Sequence, residues 1–286
     1  MNPHASTADL EWLIAVAESA GERLLGFFRA DDSTLGIERK GPRDLVTHAD
    51  RASESEIIER INERFPEDSI LAEESGRRGE ASRCWIIDPL DGTTNFTHGH
   101  PFFAVSIALC VDWRPVMAVV CAPYLRETYA ALRGRGATLN GRKIDVRPST
   151  ELSEALLATG FSYGRLELAD GGLALFDRIL GKAREVRRGG SAALDLAHTA
   201  AGVFSGFWEY YLQPHDVAAG ALLIEEAGGV VSDVAGELDF LFGHSIVAGS
   251  PAIQRALLTE VADGPRHPGR TSRPGNDRMK ETGADA

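Results

Sequence analysis

A chain of 286 residues, 43% hydrophobic and 25% charged, has material for one large globular domain or two closely joined ones. Its formal net charge of −12 argues against nucleic acid as a direct electrostatic partner, and no apolar stretch is long enough to span a membrane. Residues 1–8 lack the basic and then apolar pattern of a secretion signal, so the expected location is the cytoplasm. Cys84, Cys110 and Cys121 are odd in number, sit among apolar residues and have no Cys-x-x-Cys spacing. They read as buried free thiols and give no sign of a structural zinc site.

Ser6-Thr7-Ala8-Asp9 has the form of a capping box, and Leu10, Leu13, Ile14, Ala17, Leu24, Leu25 and Phe28 follow it at helical spacing. Residues 36–46 form a charged, glycine-containing connection, after which Thr47 can cap a second helix. Ile57, Ile58, Ile61 and Phe65 mark the apolar face of that helix, and Pro66 ends it. Asp50 falls in its first turn, where a carboxylate suits the helix dipole. Ser69-Ile70-Leu71-Ala72 is a short apolar run that carries Glu73 and Glu74 off its end.

The stretch Trp85-Ile86-Ile87-Asp88-Pro89-Leu90-Asp91-Gly92-Thr93-Thr94-Asn95-Phe96 holds the densest chemistry. Cys84 to Ile87 reads as a strand buried on both faces, and Pro89, with no N–H to donate, is expected to stop its ladder. Asp91-Gly92 supplies a turn, and Thr93-Thr94-Asn95 a helix start with free backbone N–H groups. Two carboxylates three residues apart repel each other unless something positive lies between them, and a hard divalent cation is the natural candidate. Taken alone, the same five residues also read as an ordinary solvated turn. His98-Gly99-His100 has no third soft ligand near it in sequence and reads as a surface loop.

Residues 103–111, 116–122 and 128–132 are rich in strand formers and predict an antiparallel meander. Gly134 to Gly141 contains part of a dinucleotide-binding glycine pattern, but no helix follows, and Asn140-Gly141 is a hairpin turn; a Rossmann reading is rejected. Further on come a strand at 156–159, helices at 167–181 and 191–203, and a strand at 207–212. A buried helix at 215–227 is closed by Gly228-Gly229, strands follow at 230–232 and 246–248, and Ser250-Pro251 opens a last helix to about 262. The tail 263–286, rich in Pro, Gly and charge, is expected to be disordered. Interspersed strands and helices point to an α+β chain of layered sheets and helices, divided into 1–150, 151–262 and the tail.

Acids thus stand at Asp50, Glu73, Asp88, Asp91 and Asp216, and with them the chain resembles the inositol monophosphatase family over residues 10–260. Asp-Pro-Leu-Asp-Gly-Thr-Thr-Asn-Phe at 88–96 matches that family's first signature, and 208–229, ending in Glu-Glu-Ala-Gly-Gly, its second. The resemblance implies a layered α-β-α-β-α sandwich of the inositol monophosphatase and fructose-bisphosphatase type. The main metal and phosphate site would lie in the first half, with the second half supplying Asp216 and the substrate pocket. It further implies two or three Mg²⁺ ions held by Glu73, Asp88, Asp91, Asp216 and the Leu90 carbonyl, an ion type that prefers such oxygen donors.

In the same way, Asp50, Thr93 and Glu73 would be catalytic, Thr93 bonded to Asp50 and orienting a metal-bound water as nucleophile. Phosphate would rest on the N–H groups of Gly92, Thr93 and Thr94. Asp91, Gly190, Ser191, Ala192 and Glu209 would line the alcohol side, although Ser191 equally reads as a helix cap and Glu209 as a solvated strand residue. The implied partner is a small phosphate ester, inositol monophosphate first, with fructose 1,6-bisphosphate, histidinol phosphate, NADP or 3′-phosphoadenosine nucleotides as alternatives. A regulatory or binding protein with residual phosphatase activity is the rival from another class. Lithium inhibition and a homodimer are also implied. His215 stands where relatives usually carry tryptophan, and is expected to fill part of that space.

Overall fold

The computed structural model describes residues 5–41, 45–161 and 172–262. The tail at 263–286 and the opening of the helix expected at 167–181 lie outside them.

Helix α1 (Thr7–Phe27) starts at the expected box: Ser6 Oγ accepts from the Asp9 amide, and Asp9 accepts from the Ser6 amide. A one-turn helix α2 (Asp32–Leu35) precedes the charged connection, which holds an antiparallel pair of β1 (Glu38–Arg39) and β2 (Leu45–Val46). Helix α3 (His48–Arg64) follows its Thr47 cap and stops before Pro66. Then come β3 (Ser69–Ala72), β4 (Gly76–Arg78), β5 (Arg83–Asp91), the short α4 (Thr93–Thr97), β6 (Ala104–Val111), β7 (Arg114–Ala122), β8 (Glu127–Leu132), β9 (Ala137–Leu139) and β10 (Arg142–Ile144). The last eight of these strands form one sheet in the order β10-β9-β8-β7-β6-β5-β3-β4. The expected meander is its antiparallel centre, β6 to β8. Asn140 and Gly141 both have positive φ between β9 and β10, the twist a two-residue hairpin needs.

The second half supplies β11 (Leu156–Thr159), α5 (Gly172–Leu180), β12 (Glu185–Arg187), α6 (Ala192–Ala200), β13 (Gly206–Tyr210), α7 (Pro214–Glu226), β14 (Val230–Ser232), β15 (Ser245–Gly249) and α8 (Pro251–Val261). Its strands form a smaller sheet, β12-β11-β13-β15-β14.

Alternation along the strands explains the layering. On β5, Trp85 and Ile87 face α1 and α3, where they meet Leu13, Leu24, Ile57 and Ile61; Cys84 and Ile86 face the other way, toward Leu194, Leu222 and Leu223 of α6 and α7. On β13, Phe207 joins that same central core, whereas Trp208 packs with Leu175, Ile253 and Leu257 beneath α5 and α8. The stack is therefore helix pair, large sheet, helix pair, small sheet, helix pair. Being covered on both sides, α7 is buried continuously from Val217 to Ile224. The three cysteines are free and buried, and among the described residues no helix is long and apolar enough to cross a membrane.

One expectation needs correction. Pro89 does not end β5: pairing with β6 runs through Asp88↔Ser106 and resumes at Asp91↔Ala104. Three steps on β5 thus oppose two on β6, a bulge in which the missing proline N–H costs no ladder bond.

The second signature also has a structural part. The Glu226 carboxylate, at the end of α7, accepts from the amides of Gly134 (2.8 Å), Arg135 (3.1 Å) and Gly136 (2.8 Å) and so ties the β8–β9 turn to the central layer. Glu226→Ala is expected to lower stability by roughly 1–2 kcal/mol, a charged group's hydrogen bonds discounted for partial exposure. A urea midpoint unchanged from the parent would contradict that role.

Candidate active site

In a regular strand, residues three apart point to opposite faces; the bulge after Asp88 removes that offset and turns Asp88 and Asp91 toward each other. Carboxylate oxygens of Asp88, Asp91 and Asp216 all lie within 4.8 Å of one another. Glu73 arrives from the neighbouring parallel strand. Ala72 is in register with Ile87, and the Glu73 amide donates to the Ile87 carbonyl (3.1 Å), so Glu73 emerges beside Asp88. Atoms of Glu73, Asp88 and the His215 imidazole form a second group within 4.8 Å.

Helix starts hold these acids in place. Asp50, in the first turn of α3, accepts from the Thr47 amide (2.8 Å) and hydroxyl (2.6 Å) with one oxygen and faces Thr93 Oγ (3.2 Å) with the other. It therefore caps α3 and at the same time contacts Thr93. Thr93 Oγ also lies 3.1 Å from the Leu90 carbonyl. Asp216 accepts from the Gln213 amide (2.6 Å) at the start of α7. Asp91 reaches across to α6, accepting from the Ala193 amide (2.7 Å) and the Ser191 hydroxyl (2.7 Å). Ser191 meanwhile receives the Leu194 amide, so its capping reading is realised while its hydroxyl donates to Asp91. Free amides and helix dipoles favour negative charge at each of these points.

Even so, negative charge is in excess. Burial, and then the charges of Glu73, Asp91 and Asp216, push the Asp88 carboxyl well above the usual range. Burial and the Asp216 charge raise Asp91 to about 7 against the bonds from Ser191 and Ala193. Burial lifts Asp50 to about 6 although the Thr47 bonds oppose it, and also raises Asp216, which His215 counteracts. Lys40 donates to Glu73 (3.2 Å) and to Glu74. Burial works against its charge, but the two glutamates prevail and hold its pKa above the ordinary lysine value. Converging carboxylates with a carbonyl beside them are the hard oxygen donors that suit Mg²⁺, and one lysine does not balance four acids.

Beside the acids opens a cavity of about 410 Å³ whose wall includes Asp91, Gly190, Ser191, Ala192 and Glu209. Both Glu209 oxygens lie over Gly160, where a Cβ would stand 2.1–2.2 Å from them. Gly92 opens α4 at φ +94°, a conformation that disfavours a side chain, and a Cβ there would press on Phe102 and Phe103. Gly92, Thr93 and Thr94 begin that helix, where amides have no intrahelical acceptor.

Sequence reasoning passed over Lys40, Arg188 and Asp195, which also line the cavity, and treated His215 as a filler although its ring sits among the acids. Lys40 had a signal, being a cation in the connection ahead of the Thr47 cap; Asp195 had none, standing in an alanine-rich helix. His98 and His100 lie exposed after α4 and join no potential metal group among the described residues. A larger cavity, about 630 Å³, lined by Trp113 and Phe242 among others, contains none of the clustered acids.

The chain belongs to the inositol monophosphatase family, whose family model matches residues 7–265. It is 44% identical over 254 residues to the Nus factor SuhB of Pseudomonas aeruginosa, covering 87% of this chain and 93% of that protein. Among solved structures, the extragenic suppressor protein suhB of Bartonella henselae superimposes with a TM-score of 0.84 at 38% identity, covering 89% of this chain and 98% of that one. Inositol monophosphatase from Anabaena gives 0.81 at 39% identity, covering 90% and 96%.

A carboxyl whose folded pKa is raised binds protons more readily folded than unfolded, so stability falls as pH climbs from about 4 through about 7. A cation bound only by the folded state relieves that loss. Millimolar Mg²⁺ should therefore raise the melting temperature of EDTA-treated protein by roughly 3 °C or more, and by more at about pH 8 than at about pH 5.5. Asp88→Asn should abolish most of the Mg²⁺ increment; equal melting curves with and without Mg²⁺ in the parent would refute the cation reading.

Proposed function

We propose that the protein is a Mg²⁺-dependent phosphomonoesterase acting on small polyol phosphates, with inositol monophosphate as its leading substrate. The observation that carries this is the convergence of Glu73, Asp88, Asp91 and Asp216 from four chain positions next to the amide-bearing start of α4. Family membership supports the phosphatase part. The named inositol monophosphatase from Anabaena supports the substrate part by likeness only.

Mg²⁺ held by those four carboxylates and the Leu90 carbonyl would neutralise phosphoryl charge and make water a stronger acid near neutral pH. The chain's own groups do the rest. The Gly92, Thr93 and Thr94 amides bind phosphate oxygens and fix phosphorus in one place. Thr93 Oγ, held between Asp50 and the Leu90 carbonyl, accepts a hydrogen bond from the attacking water while directing its own proton to Asp50. Asp50, raised to about 6, is poised to hold that proton, and Glu73 is the third catalytic group. Ser191, the Ala192 region and Glu209 orient the alcohol half, which leaves as phosphorus is attacked in line. No covalent enzyme intermediate is needed.

The named Nus factor relatives favour a second reading, a protein that engages a larger assembly and retains the phosphatase site. Retention of all four acids favours catalysis as at least one of its roles.

Inositol 1-phosphate, fructose 1,6-bisphosphate, histidinol phosphate and NADP should be compared by kcat/KM, with inositol 1-phosphate expected to lead. Thr93→Ala should reduce kcat by about 100-fold or more at saturating substrate while leaving half-saturation by Mg²⁺ nearly unchanged. Normal turnover in that variant would remove Thr93 from the proton path, and Mg²⁺-independent hydrolysis in the parent would overturn the proposal.

A further inference from the structure

Trp113 sits where a tryptophan is least expected. Strand β6 ends at Val111, β7 starts at Arg114 and those two residues are paired, so Asp112-Trp113 is the whole of a two-residue turn. Both have positive φ, 49° and 61°, which an aspartate tolerates and a bulky indole does not favour. A residue in such a conformation persists only where its surroundings hold it. Here Phe242 meets the indole edge-on at 5.1 Å, and the Arg77 guanidinium lies over the ring at 5.4 Å. Trp113 is thereby kept on the wall of the cavity of about 630 Å³, half-buried.

The same cavity combines apolar lining with surplus acid. Phe240, Leu241 and Phe242 line it, and Leu238, also on its wall, is 76% exposed. Asp112, Glu225, Glu237 and Asp239 supply four carboxylates against two guanidinium groups, Arg114 and Arg133, and Arg133 is already bonded to Glu225 (2.7 Å). An aromatic wall with excess carboxylate beside it is the chemistry that recognises a proline-rich segment bearing arginine.

Such a segment follows directly after α8. Within residues 263–286, which lie outside the described structure, Pro265, Pro268, Thr271 and Pro274 recur at every third position, and so do His267, Arg270 and Arg273. A polyproline II helix has three residues per turn, so in that conformation the first series makes one ridge and the second a basic ridge beside it. Residues 264–276 include no acid, so their charge complements that of the cavity. The tether is short. Leu258, on the last turn of α8, neighbours Gly236, where a Cβ would lie 3.5 Å from Leu258 Cδ1, and the cavity lining begins at the next residue, Glu237. Three residues beyond Ala262, roughly 10 Å of extended chain, reach Pro265.

We propose that residues 264–274 dock onto their own chain as a polyproline II segment in the cavity lined by Trp113 and Phe242, with the prolines against the aromatic wall and Arg270 and Arg273 toward Asp112, Glu237 and Asp239. The docked segment covers apolar surface, Leu238 above all, and gives the strained turn at Trp113 a purpose. It stands independently of the phosphatase reading, because the cavity contains none of the clustered acids.

The test uses the full chain. Cys84, Cys110 and Cys121 are buried, so a nitroxide reagent selects the new thiol of Ser272→Cys, a position in neither ridge. Incorporated 5-fluorotryptophan gives a fluorine resonance for each of Trp12, Trp85, Trp113 and Trp208. Trp113→Phe, or Trp113→Tyr should that variant fail to fold, assigns the Trp113 signal by its loss. In dilute labelled protein the Trp113 resonance is expected to be broadened by about threefold or more relative to the same labelled chain carrying Pro265→Ala, Pro268→Ala, Arg270→Glu and Arg273→Glu, which keeps the tether and removes both recognition elements. Equal broadening in the two chains, or none in either, overturns the proposal. Broadening that arises only when labelled, fluorine-free chain is mixed with unlabelled, fluorinated chain overturns it as well, since the occupant is then the segment of a second copy.

Discussion

Four carboxylates that would repel one another are nevertheless held within a few ångströms, and much of the surrounding structure is explained by how that is achieved. Asp88 is 2% exposed and bears the charges of Glu73, Asp91 and Asp216 around it. Neutral hydrogen bonding could not hold such a group of anions. The chain counters the repulsion with aligned peptide dipoles: Asp91 rests on the start of α6 and Asp216 on that of α7, while α4 opens next to Asp91 and α3 carries Asp50. Lys40 adds one full positive charge. What remains is a negative excess matched to a hard divalent ion, and a void shaped by acids that have few other partners.

The layered fold is the means of bringing those acids together. Strands β3 and β5 run parallel, so Glu73 and Asp88 lie at the same end of the large sheet. Helices α6 and α7 lie between the sheets, and their N-termini meet that end from the second half of the chain. Apolar packing of Ile86, Leu222 and Phe207 in the shared central core sets the separation, and the bulge at Pro89 makes the final adjustment. Loss of packing in that layer would therefore be felt at the site through the positions of Asp91 and Asp216.

Much of this was legible in the sequence, for physical reasons. The capping box at Ser6, the Thr47 cap, the strand-former-rich segments of the meander and the Asn140-Gly141 turn are local signals, and each forms as expected. Glu73 and Asp88 were likewise visible because apolar runs end at them, whereas Asp50 was visible as a first-turn acid and Asp91 and Asp216 through the two signatures. Proline was misread: its missing N–H signals interruption, but a bulge accommodates it and lets β5 continue to Asp91. Arg188 and Asp195 carry no local pattern, and only the fold brings them to the cavity that Asp91 also lines. That Asp50 and Ser191 cap their helices and also contact Thr93 and Asp91 needed the fold, since the sequence shows only the cap.

The central claim is that these acids are assembled to hold a divalent cation. Crystals grown with Mn²⁺, a magnetic and anomalously scattering substitute for Mg²⁺, test it directly. Anomalous peaks within about 2.0–2.4 Å of carboxylate oxygens of Glu73, Asp88, Asp91 and Asp216 are the expected result. Peaks absent from this cluster at saturating Mn²⁺, with the carboxylates in the same arrangement, would contradict the account.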